Sequence, residues 1–483
     1  MIESARAALA AWLQTPQWLS VHGLIVLIGL LAYVLTSHSL HQRRSPTAAI
    51  SWVLTISLIP YVGLPLYLLF GSRKLAHTAS RLPAAPLCLD TGDTGAARGP
   101  AAGHADLDWP RQLAAALGQP PVAAYHDLRV HADGQAAQRA LFELIEQAQH
   151  EIALCTFLVG RDAFGRALIE RLAARARAGV RVRLLLDGAG RVMGGGVSLH
   201  ALKAAGVTVA LFGPILHVPF TSRTNLRNHR KMVVADSVRL WCGGRNLAAE
   251  YFEGTAQRPP WRDLSFDLAG PLAGQALALF ERDWAFATGA PRPGPAQAAE
   301  RPAPPLPYAQ VIASGPDQAD DTVHDLLVTA CFKARRRIRI ATPYFVPGEV
   351  LLMALSLAAR RGVQVDLVLP HHSNHALADF VRHRALRELV DAGGRIWCTP
   401  FMMHAKAVVV DEGLALAGSA NLDSRSLFLN FEMMVAFYAP GDIQHFAGYI
   451  DQCRAGAVAY GRRKPGLLRD LAEGLLLWLA FQL

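Results

Sequence analysis

The stretch NHRKMVVADSVRLWCGGRN, residues 228–246, occurs again as MHAKAVVVDEGLALAGSAN, residues 403–421. Both copies place a lysine two residues after a histidine, an aspartate five residues after the lysine, and an asparagine ten residues after the aspartate. Matching spacing over so long a stretch indicates an internal duplication. The sequence therefore predicts two similar halves, each built around one copy.

The flanks of the two copies repeat the same order of elements. A helical run at 137–150 and the strand EIALCTFLVG precede the first copy, and a run at 321–335 and RIRIATPYFVPG precede the second. Each half then has a helix that leads into a further strand, GVRVRLLLDG or GVQVDLVLP. Strands separated by helices predict an α/β fold. We expect two similar α/β sandwich halves, with mostly parallel sheets covered by helices, related by pseudo-twofold symmetry and preceded by an N-terminal membrane segment.

Composition divides the 483 residues into six segments. Two stretches rich in Ala, Gly and Pro separate the others, because dense prolines exclude a regular element. The predicted segments are a membrane segment at 1–74, a connector at 75–121, the first half at 122–288, a Pro-rich linker at 289–307, the second half at 308–465 and an apolar C-terminal helix at 466–483.

Two uncharged apolar runs, about 18–36 and 48–70, lie in the first segment. The first run is long enough for a helix that crosses a ~30 Å hydrocarbon layer. The second contains Pro60, Gly63 and Pro65, so it either spans with a kink or enters the layer part-way. A signal peptide for the first run, and buried core helices for both, are the alternatives.

The C-terminal segment, GLLRDLAEGLLLWLAFQL, has apolar residues at helical spacing. It could lie in the membrane interface or pack on the core. The formal net charge of +10 suits either nucleic acid or anionic lipid as a partner. The six cysteines are scattered without a CxxC pair, and no acidic cluster is evident, so neither a metal nor another cofactor is predicted.

The duplicated motif carries the candidate catalytic residues. Side chains two residues apart point the same way from a strand, so His229 and Lys231 share a face, as do His404 and Lys406. Packing of the halves about a twofold axis would bring the two pairs together as an anion site. One imidazole could then attack phosphorus to form a phosphohistidine while the other handles protons.

The remaining motif positions have two different predicted roles. Asn246 and Asn421 would help the two lysines to hold the non-bridging oxygens of a phosphate. Asp236 and Asp411 complete the motifs and therefore count among the candidate catalytic residues. Both, however, lie on the opposite strand face in turn-forming sequences, ADS and DEG, which favours a turn or a distant ion pair over contact with substrate.

The paired motifs resemble the HKD signatures of the phospholipase D superfamily, and both copies are complete. More of the chain is similar to one branch, the bacterial cardiolipin synthases. The similar stretches are RSPTAAISWVLTISLIPYVGLPLYLLFGSRK near the N-terminus, RNHRK followed by GGRN, and GSANLDSRSLFLNFE. The resemblance implies phospholipase D-like domains behind a membrane segment, and no cofactor.

The resemblance also implies a reaction in which two phosphatidylglycerol molecules give cardiolipin and glycerol. It makes His229 the nucleophile and His404 the general acid and base, a choice that the residues alone leave open. An acidic residue after each motif orients the histidine in this family. Glu432 matches in the second half, and in the first half Asp263 is the candidate, with Asp267 as the alternative.

Two departures from the family pattern affect the substrate site. The first motif has Gly244 where the second has Ser419, so a hydroxyl contact to phosphate is expected from Ser419 alone. The family often has Ser-Asp-His where this chain has SNH at 373–375, which is either a head-group contact or a plain surface loop.

The predicted partners are phosphatidylglycerol, other anionic phospholipids and the membrane, with no nucleic acid. The predicted location is the cell inner (cytoplasmic) membrane, with a multi-pass or hairpin anchor. Close alternatives are a phospholipase D-type hydrolase and a transferase that takes phosphatidylethanolamine as donor. A nucleic-acid phosphodiesterase suits the motif and the basic charge but needs no membrane anchor. A lipid-binding scaffold would not need two intact motifs.

Overall fold

The computed structural model describes residues 16–39, 46–71, 108–196, 198–213, 225–255, 258–291, 307–461 and 465–479. Two compact units are present, one comprising Met1–Thr78 with Ile215–Leu226 and the other comprising Ala79–Pro214 with Arg227–Leu483. Most of the predicted connector and Pro-rich linker lies outside the described residues. The boundaries of the six predicted segments therefore stay a prediction.

The N-terminal unit contains helices α1 (Pro16–Ser39), α2 (Pro46–Leu58) and α3 (Pro60–Phe70). Within α1, Ser20–Ser37 has a mean hydropathy of 1.9 and is only 6% buried. It is the one helix among the described residues that is long and apolar enough to cross a membrane. A buried core helix would not leave its leucines exposed, so the exposed side chains of α1 disfavour that alternative.

The second apolar run folds back on itself as a hairpin of α2 and α3. The rings of Trp52 and Tyr67, fifteen positions apart, lie 5.2 Å from each other. A continuous helix would separate them by about 22 Å. Gly63 permits the close approach, since a Cβ there would lie 2.6 Å from the Thr55 carbonyl oxygen. Each of the two short helices falls well below the ~30 Å layer thickness, so neither is long enough to cross such a layer alone.

The first half of the second unit is built on a seven-stranded sheet. In space its strands follow the order β2-β8-β7-β6-β3-β4-β5. Their bounds are β2 (His126–His131), β3 (Glu151–Thr156), β4 (Arg181–Asp187), β5 (Thr208–Phe212), β6 (Met232–Ala235), β7 (Arg239–Gly243) and β8 (Ser265–Ala269). The helices up to the end of this half are α4 (Trp109–Ala116), α5 (Gly134–Gln147), α6 (Ala163–Arg177), α7 (Gly188–Met193), α8 (His200–Ala204) and α9 (Pro271–Thr288).

The second half repeats the arrangement in the order β9-β17-β15-β14-β10-β12-β13, with β1 (Ala123–Ala124) and β18 (Val458–Ala459) added at the edges. The bounds are β9 (Tyr308–Ser314), β10 (Arg337–Ala341), β12 (Gln364–Pro370), β13 (Arg395–Thr399), β14 (Ala407–Val410), β15 (Leu414–Gly418) and β17 (Glu432–Phe437). A separate pair consists of β11 (Phe345–Val346) and β16 (Leu422–Asp423). The helices are α10 (Thr322–Lys333), α11 (Glu349–Arg360), α12 (Ala376–Asp391), α13 (Ser424–Phe428), α14 (Pro440–Ala455) and α15 (Leu467–Leu479).

The structure confirms the α/β class and the two similar halves, but the prediction of mostly parallel sheets is wrong. Only β3-β4-β5 and β10-β12-β13 are parallel; the other neighbours in both orders pair antiparallel. The physical reason is the motif itself. Its strand continues through a tight turn into a hairpin, and a hairpin joins antiparallel neighbours.

Each half has its own core of buried apolar side chains. In α5 the buried positions from Ala137 to Ile145 recur every three or four residues and face the sheet. The helix begins where Asp133 accepts a hydrogen bond from the Ala136 amide at 2.7 Å. Strand β3 is buried at every position, as expected of a strand with neighbours on both sides.

Main-chain bonds join the two halves beside the motifs. Asn228 pairs with Phe431, and Arg262 pairs with Met403, each as a short parallel bridge. The two bridges are equivalent by the internal repeat, because each joins a motif histidine strand to the residue just before a candidate acid. The halves are thus held in register at the site itself.

Arg230 strengthens only one of these bridges. It is fully buried, and its guanidinium donates to Asp283 and, at 3.2 Å, to Asp317. Its Nε donates to the carbonyl oxygen of Glu432 at 3.0 Å. The equivalent position in the second motif is Ala405. The first motif is therefore pinned to the second half by a buried charge network that its copy lacks.

Asp236 and Asp411 form the turns that start the hairpins. Their φ angles are 51° and 49°, in the left-handed region that aspartate tolerates. The carboxylate of Asp236 accepts three backbone amides, from Gln149, His150 and Glu151, at 2.7–2.9 Å. Asp411 accepts the amides of residues 335–337 in the same way. Each aspartate therefore anchors its hairpin to the start of the neighbouring strand.

We expect Asp236→Ala to reduce the free energy of unfolding by about 2 kcal/mol, because three amides lose a charged acceptor. The thermal midpoint of the purified protein should fall, while the specific activity of the folded fraction stays within about twofold of wild type. Glu412→Ala is the matched control, since the Glu412 side chain is 69% exposed in the equivalent turn of the second half. A large loss of activity at an unchanged midpoint would contradict the structural role.

Candidate active site

The two motif histidines stand three residues before strands β6 and β14, where each chain segment contacts the other half. The amide of His229 donates to the Phe431 carbonyl at 2.9 Å, and the amide of His404 donates to the Arg262 carbonyl at 2.7 Å. Both backbones are therefore fixed by the opposite half. Both histidines consequently face the boundary between the halves.

Each histidine is paired with the acid of the opposite half. Nδ1 of His404 lies 2.7 Å from Oδ2 of Asp263, and Nδ1 of His229 lies 3.4 Å from Oε1 of Glu432. Both carboxylates are completely buried. The acid that follows a motif in sequence thus serves the histidine of the other motif. In both cases Nε2 is the ring nitrogen that no acid among the described residues contacts, and Nε2 of His404 lies 3.0 Å from Nζ of Lys406.

The electrostatics keep both imidazoles neutral at pH 7. Burial and, to a smaller extent, Lys231 lower the pKa of His229 to about 4 against the opposing effect of Glu432. Burial lowers the pKa of His404 to about 3, with Lys406 acting in the same direction and Asp263 against it. Each histidine also feels the lysine of the other motif. The two pairs therefore lie within one electrostatic environment.

The carboxylates stay ionised in spite of burial. Burial raises the pKa of Asp263, but His404 and Lys406 outweigh it, so the pKa lies below its usual value. Glu432 follows the same balance, with His229 as its largest favourable partner. An ionised acid that accepts a hydrogen bond from Nδ1 fixes the proton on that nitrogen. The lone pair of neutral His404 is then on Nε2, and we expect the same of His229, whose Nδ1 lies 3.4 Å from Glu432 without a hydrogen bond among the described residues.

The lysines are buried as deeply as the acids. Nζ of Lys231 donates to the His229 carbonyl at 2.7 Å, and Nζ of Lys406 contacts the His404 carbonyl and lies 3.0 Å from its Nε2. Burial lowers the pKa of both, that of Lys406 to about 7, and Lys231 adds to the shift. The site thus holds two poorly solvated lysines, and an anionic substrate placed beside them would favour their charged form.

The three predicted phosphate ligands lie in different settings. Asn246 donates from Nδ2 to the hydroxyl of Tyr251 at 2.8 Å, and the Oδ1 atoms of Asn246 and Asn421 have no hydrogen-bond partner among the described residues. The hydroxyl of Ser419 donates to Glu432 at 2.5 Å and accepts from the Met433 amide. Ser419 is therefore engaged with the orienting acid rather than directed at a phosphate.

The glycine at the equivalent position has a steric reason. A Cβ on Gly244 would lie 2.3 Å from Oδ1 of Asp263. The shorter aspartate occupies the space that a serine would fill. The first half therefore combines Gly244 with Asp263, and the second half combines Ser419 with Glu432. The first half lacks the serine hydroxyl because the Asp263 carboxylate fills its space.

The structure separates three sequence candidates from this cluster. Asp236 and Asp411 lie beyond the far ends of β6 and β14, where they bind backbone amides, so their place among the catalytic candidates is corrected to that of turn residues. Asp267 lies on β8 and pairs with Nε2 of His131 at 2.5 Å. Asp263 is therefore the acid that reaches a motif histidine, and it does so across the boundary between the halves.

Several residues near the site were not anticipated. The ring of Phe157 packs edge-on against His229, with centroids 4.4 Å apart. Tyr251 and Trp261 pack against His404 at 5.1 and 5.7 Å, and Tyr344 lies at 6.4 Å. These rings come from separate segments, so no local pattern links them to the motif. Arg230 could have been identified from the sequence, since it lies between His229 and Lys231.

The SNH segment reaches this aromatic group. The hydroxyl of Tyr344 donates to Oδ1 of Asn374 at 2.5 Å, and the rings of Tyr344 and His375 lie 5.2 Å apart. A cavity of about 350 Å³ lies beside the same group, lined by Glu250, Thr255, Arg258, Pro259 and Trp261. The side of the site near His404 therefore combines aromatic faces with polar groups suited to a hydroxylated head group.

No group of three or more His, Cys, Asp or Glu side chains that could hold a metal occurs in the described part of the chain. The residues that meet at the boundary of the halves instead form two His–acid pairs with two lysines. This arrangement can supply a nucleophile, a proton carrier and positive charge for one phosphodiester.

Comparison with known proteins places these features in a family. A family model described as "Cardiolipin synthase, PLD-like domain" matches residues 141–284 and 327–454. A second, described as "Phospholipase_D-nuclease N-terminal", matches residues 24–72. The first model covers both copies of the duplicated motif, and the second covers the N-terminal helices.

Individual relatives agree. Cardiolipin synthase A of Pseudomonas putida (strain W619) is 32% identical over 442 residues, covering 86% of this chain and 87% of the relative. Cardiolipin synthase of Geobacillus thermodenitrificans (strain NG80-2) is 33% identical, covering 82% of this chain and 80% of the relative. Among solved structures, phosphatidylserine synthase of Haemophilus influenzae Rd KW20 has a TM-score of 0.60 at 14% identity, covers 78% of this chain and is itself covered completely, which shows a shared fold.

The family model extends over both halves, and more than 80% of the chain aligns with cardiolipin synthases at more than 30% identity. Together with the duplicated His-x-Lys motifs, this shows that the chain belongs to the cardiolipin synthase family of the phospholipase D superfamily.

Proposed function

We propose that the protein transfers a phosphatidyl group from one phosphatidylglycerol molecule to another, giving cardiolipin and glycerol. The observation that carries the proposal is the crossed pairing of His404 with Asp263 and of His229 with Glu432 beside two buried lysines. Family membership supports the choice of lipid substrate. The exposed apolar surface of α1 supports attachment to the membrane that contains that substrate.

In the first step, Nε2 of His229 attacks phosphorus. The bond from phosphorus to the glycerol oxygen breaks, and His404 gives its Nε2 proton to that oxygen. His229 suits the nucleophilic role because its side chain is 23% exposed, whereas that of His404 is 8% exposed. Lys231 and Lys406 compensate the charge that develops on the non-bridging oxygens.

His404 must carry a proton on Nε2 when this step begins, although burial and Lys406 hold its pKa at about 3 in the free protein. An incoming phosphodiester adds negative charge beside the lysines. That charge opposes their effect on the imidazole, so the pKa of His404 rises when substrate binds.

In the second step, the terminal hydroxyl of another phosphatidylglycerol replaces the departed glycerol. His404 takes the hydroxyl proton, the oxygen attacks phosphorus, and the bond between phosphorus and His229 breaks. The two steps balance without an external acid or base. The aromatic and polar groups beside His404, including Trp261 and Glu250, are suited to hold the head group during both exchanges.

We further propose the cell inner (cytoplasmic) membrane as the location, with α1 as a spanning helix and the hairpin of α2 and α3 as an additional anchor. The length of α1 and the short lengths of the hairpin helices support this arrangement.

The direct test supplies the purified full chain with phosphatidylglycerol in detergent and follows lipid products and released glycerol. We expect cardiolipin and glycerol in equal amounts. Phosphatidic acid as the sole product would make the protein a hydrolase, and cardiolipin formed only when phosphatidylethanolamine is added would change the donor. A chelator should leave the rate unchanged, since no residue in the proposed steps acts through a metal.

The roles of the two histidines can be separated with a phosphatidyl ester of 4-nitrophenol, whose leaving group needs no proton. We expect His404→Ala to release about one nitrophenol per protein and then stall at phosphohistidine. His229→Ala should release none, with activity reduced by at least about a thousandfold. Both variants should remain membrane-bound. A burst from His229→Ala and none from His404→Ala would reverse the assignment.

At saturating substrate, where binding has raised the pKa of His404, the dependence of kcat on pH should be bell-shaped. Activity should fall below about pH 4, where His229 gains a proton and loses its nucleophilic lone pair. It should fall as pH rises through about 7, where Lys406 loses its charge. Lys406→Arg should remove the basic limb, because a guanidinium stays charged, although its maximal rate will be lower. A flat profile from pH 6 to 9 in the unmodified protein would contradict the role of Lys406.

A further inference from the structure

Helix α15 has two faces of opposite character. The side chains of Leu467, Leu468, Leu471 and Leu475 are 77%, 84%, 61% and 67% exposed. At about 100° per residue, these four positions fall within one sector of roughly 100° on the helix surface. The exposed face is therefore a continuous leucine stripe, which we call the leucine face.

The opposite side of α15 is fixed to the second half. The carboxylate of Glu473 is fully buried and accepts from Arg387 of α12 at 2.6 Å and from Arg469 at 2.9 Å. Leu476 packs with the apolar cluster of Val346 and residues of α12. A helix held by a buried ion pair cannot easily rotate to hide its leucines. The contacts on the opposite side of the helix therefore keep the leucine face exposed.

The charge around the helix suits an anionic surface. The sequence directly before α15 contains Arg462, Arg463 and Lys464 in succession. On α12, which packs against α15, Arg384 is exposed. Basic residues beside an apolar helical stripe are typical of helices that lie on anionic bilayers.

The helix is also connected to the site. Leu476 and Tyr344 pack against the same small cluster, and the ring of Tyr344 lies 6.4 Å from that of His404. Tyr344 in turn donates to Asn374, just before α12. A surface that bound α15 would therefore lie next to the side of the site where head groups are exchanged.

We propose that the leucine face of α15 docks on the anionic lipid bilayer and thereby brings the His404 side of the site to the membrane surface. The leucine face contacts the bilayer from which the substrate comes, rather than a second copy of the chain. This contact is separate from the anchor formed by α1. The consequence for catalysis rests on the proposed function, but the contact itself does not.

The contact can be measured on the full chain in vesicles of phosphatidylglycerol and phosphatidylcholine. A nitroxide is attached at Leu471→Cys in a Cys88→Ser background, because the other five cysteines are buried. The control label is at Glu170→Cys, an exposed position on helix α6 of the first half. We expect the label at 471 to collide mainly with oxygen, and the control label mainly with a water-soluble nickel complex.

Two results would overturn the proposal. Equal access of the nickel complex to both labels would place the leucine face in water. Dipolar broadening between labels at 471, with shielding from both reagents, would identify a second copy as the occupant. Because the leucines are exposed, their replacement should leave folding intact, and this is checked by an unchanged thermal midpoint.

Kinetics then test the consequence. For the double variant Leu471→Gln and Leu475→Gln, we expect kcat/KM on vesicle phosphatidylglycerol to fall roughly tenfold. On a short-chain phosphatidylglycerol kept below its micellar concentration, the change should be less than about twofold, since no bilayer is involved. Equal losses on both substrates would contradict the proposal. If the unmodified protein formed no cardiolipin at all, the proposed function would fail, while the labelling would still decide the contact.

Discussion

The hydrogen bond from His404 to Asp263 and the contact from His229 to Glu432 both run from one half of the chain to the other. Neither half contains a complete pair. Removing the opposite half would leave a buried carboxylate beside no imidazole, and an imidazole with no defined proton position. The main-chain hydrogen bonds at Phe431 and Arg262 hold the same two histidines. The packing of the two halves therefore also assembles the site.

The crossed pairs also decide the charge of the site. Burial and the neighbouring lysine lower the pKa of each imidazole. The carboxylate raises it by less, so the imidazole stays neutral. The result is a pocket with neutral Nε2 atoms and lysines whose pKa values are lowered by burial. An anionic phosphodiester beside these poorly solvated lysines would favour their charged form.

The duplication is close in topology but unequal at the site. His229 is more exposed than His404 and lies farther from its acid. Arg230 fastens the first motif to Asp283 and to the Glu432 carbonyl, where the second motif has Ala405. Aromatic rings gather around His404, beside the cavity lined by Glu250 and Trp261. Two copies of one motif have thus acquired different surroundings, as a reaction with one nucleophile and one proton carrier requires.

The sequence by itself determined the two halves, the α/β class and the convergence of two His-x-Lys pairs, because strand periodicity and duplication are local patterns. It also indicated that Asp236 and Asp411 belong to turns. Only the tertiary structure decided that the motif strands make the sheets mixed, that Asp263 rather than Asp267 reaches a histidine, and that each acid crosses to the other half. It alone showed Ser419 bonded to Glu432, and Gly244 making room for Asp263. The reason is physical: these contacts join residues far apart in the chain, and their distances depend on how two cores pack, which no spacing along the sequence records.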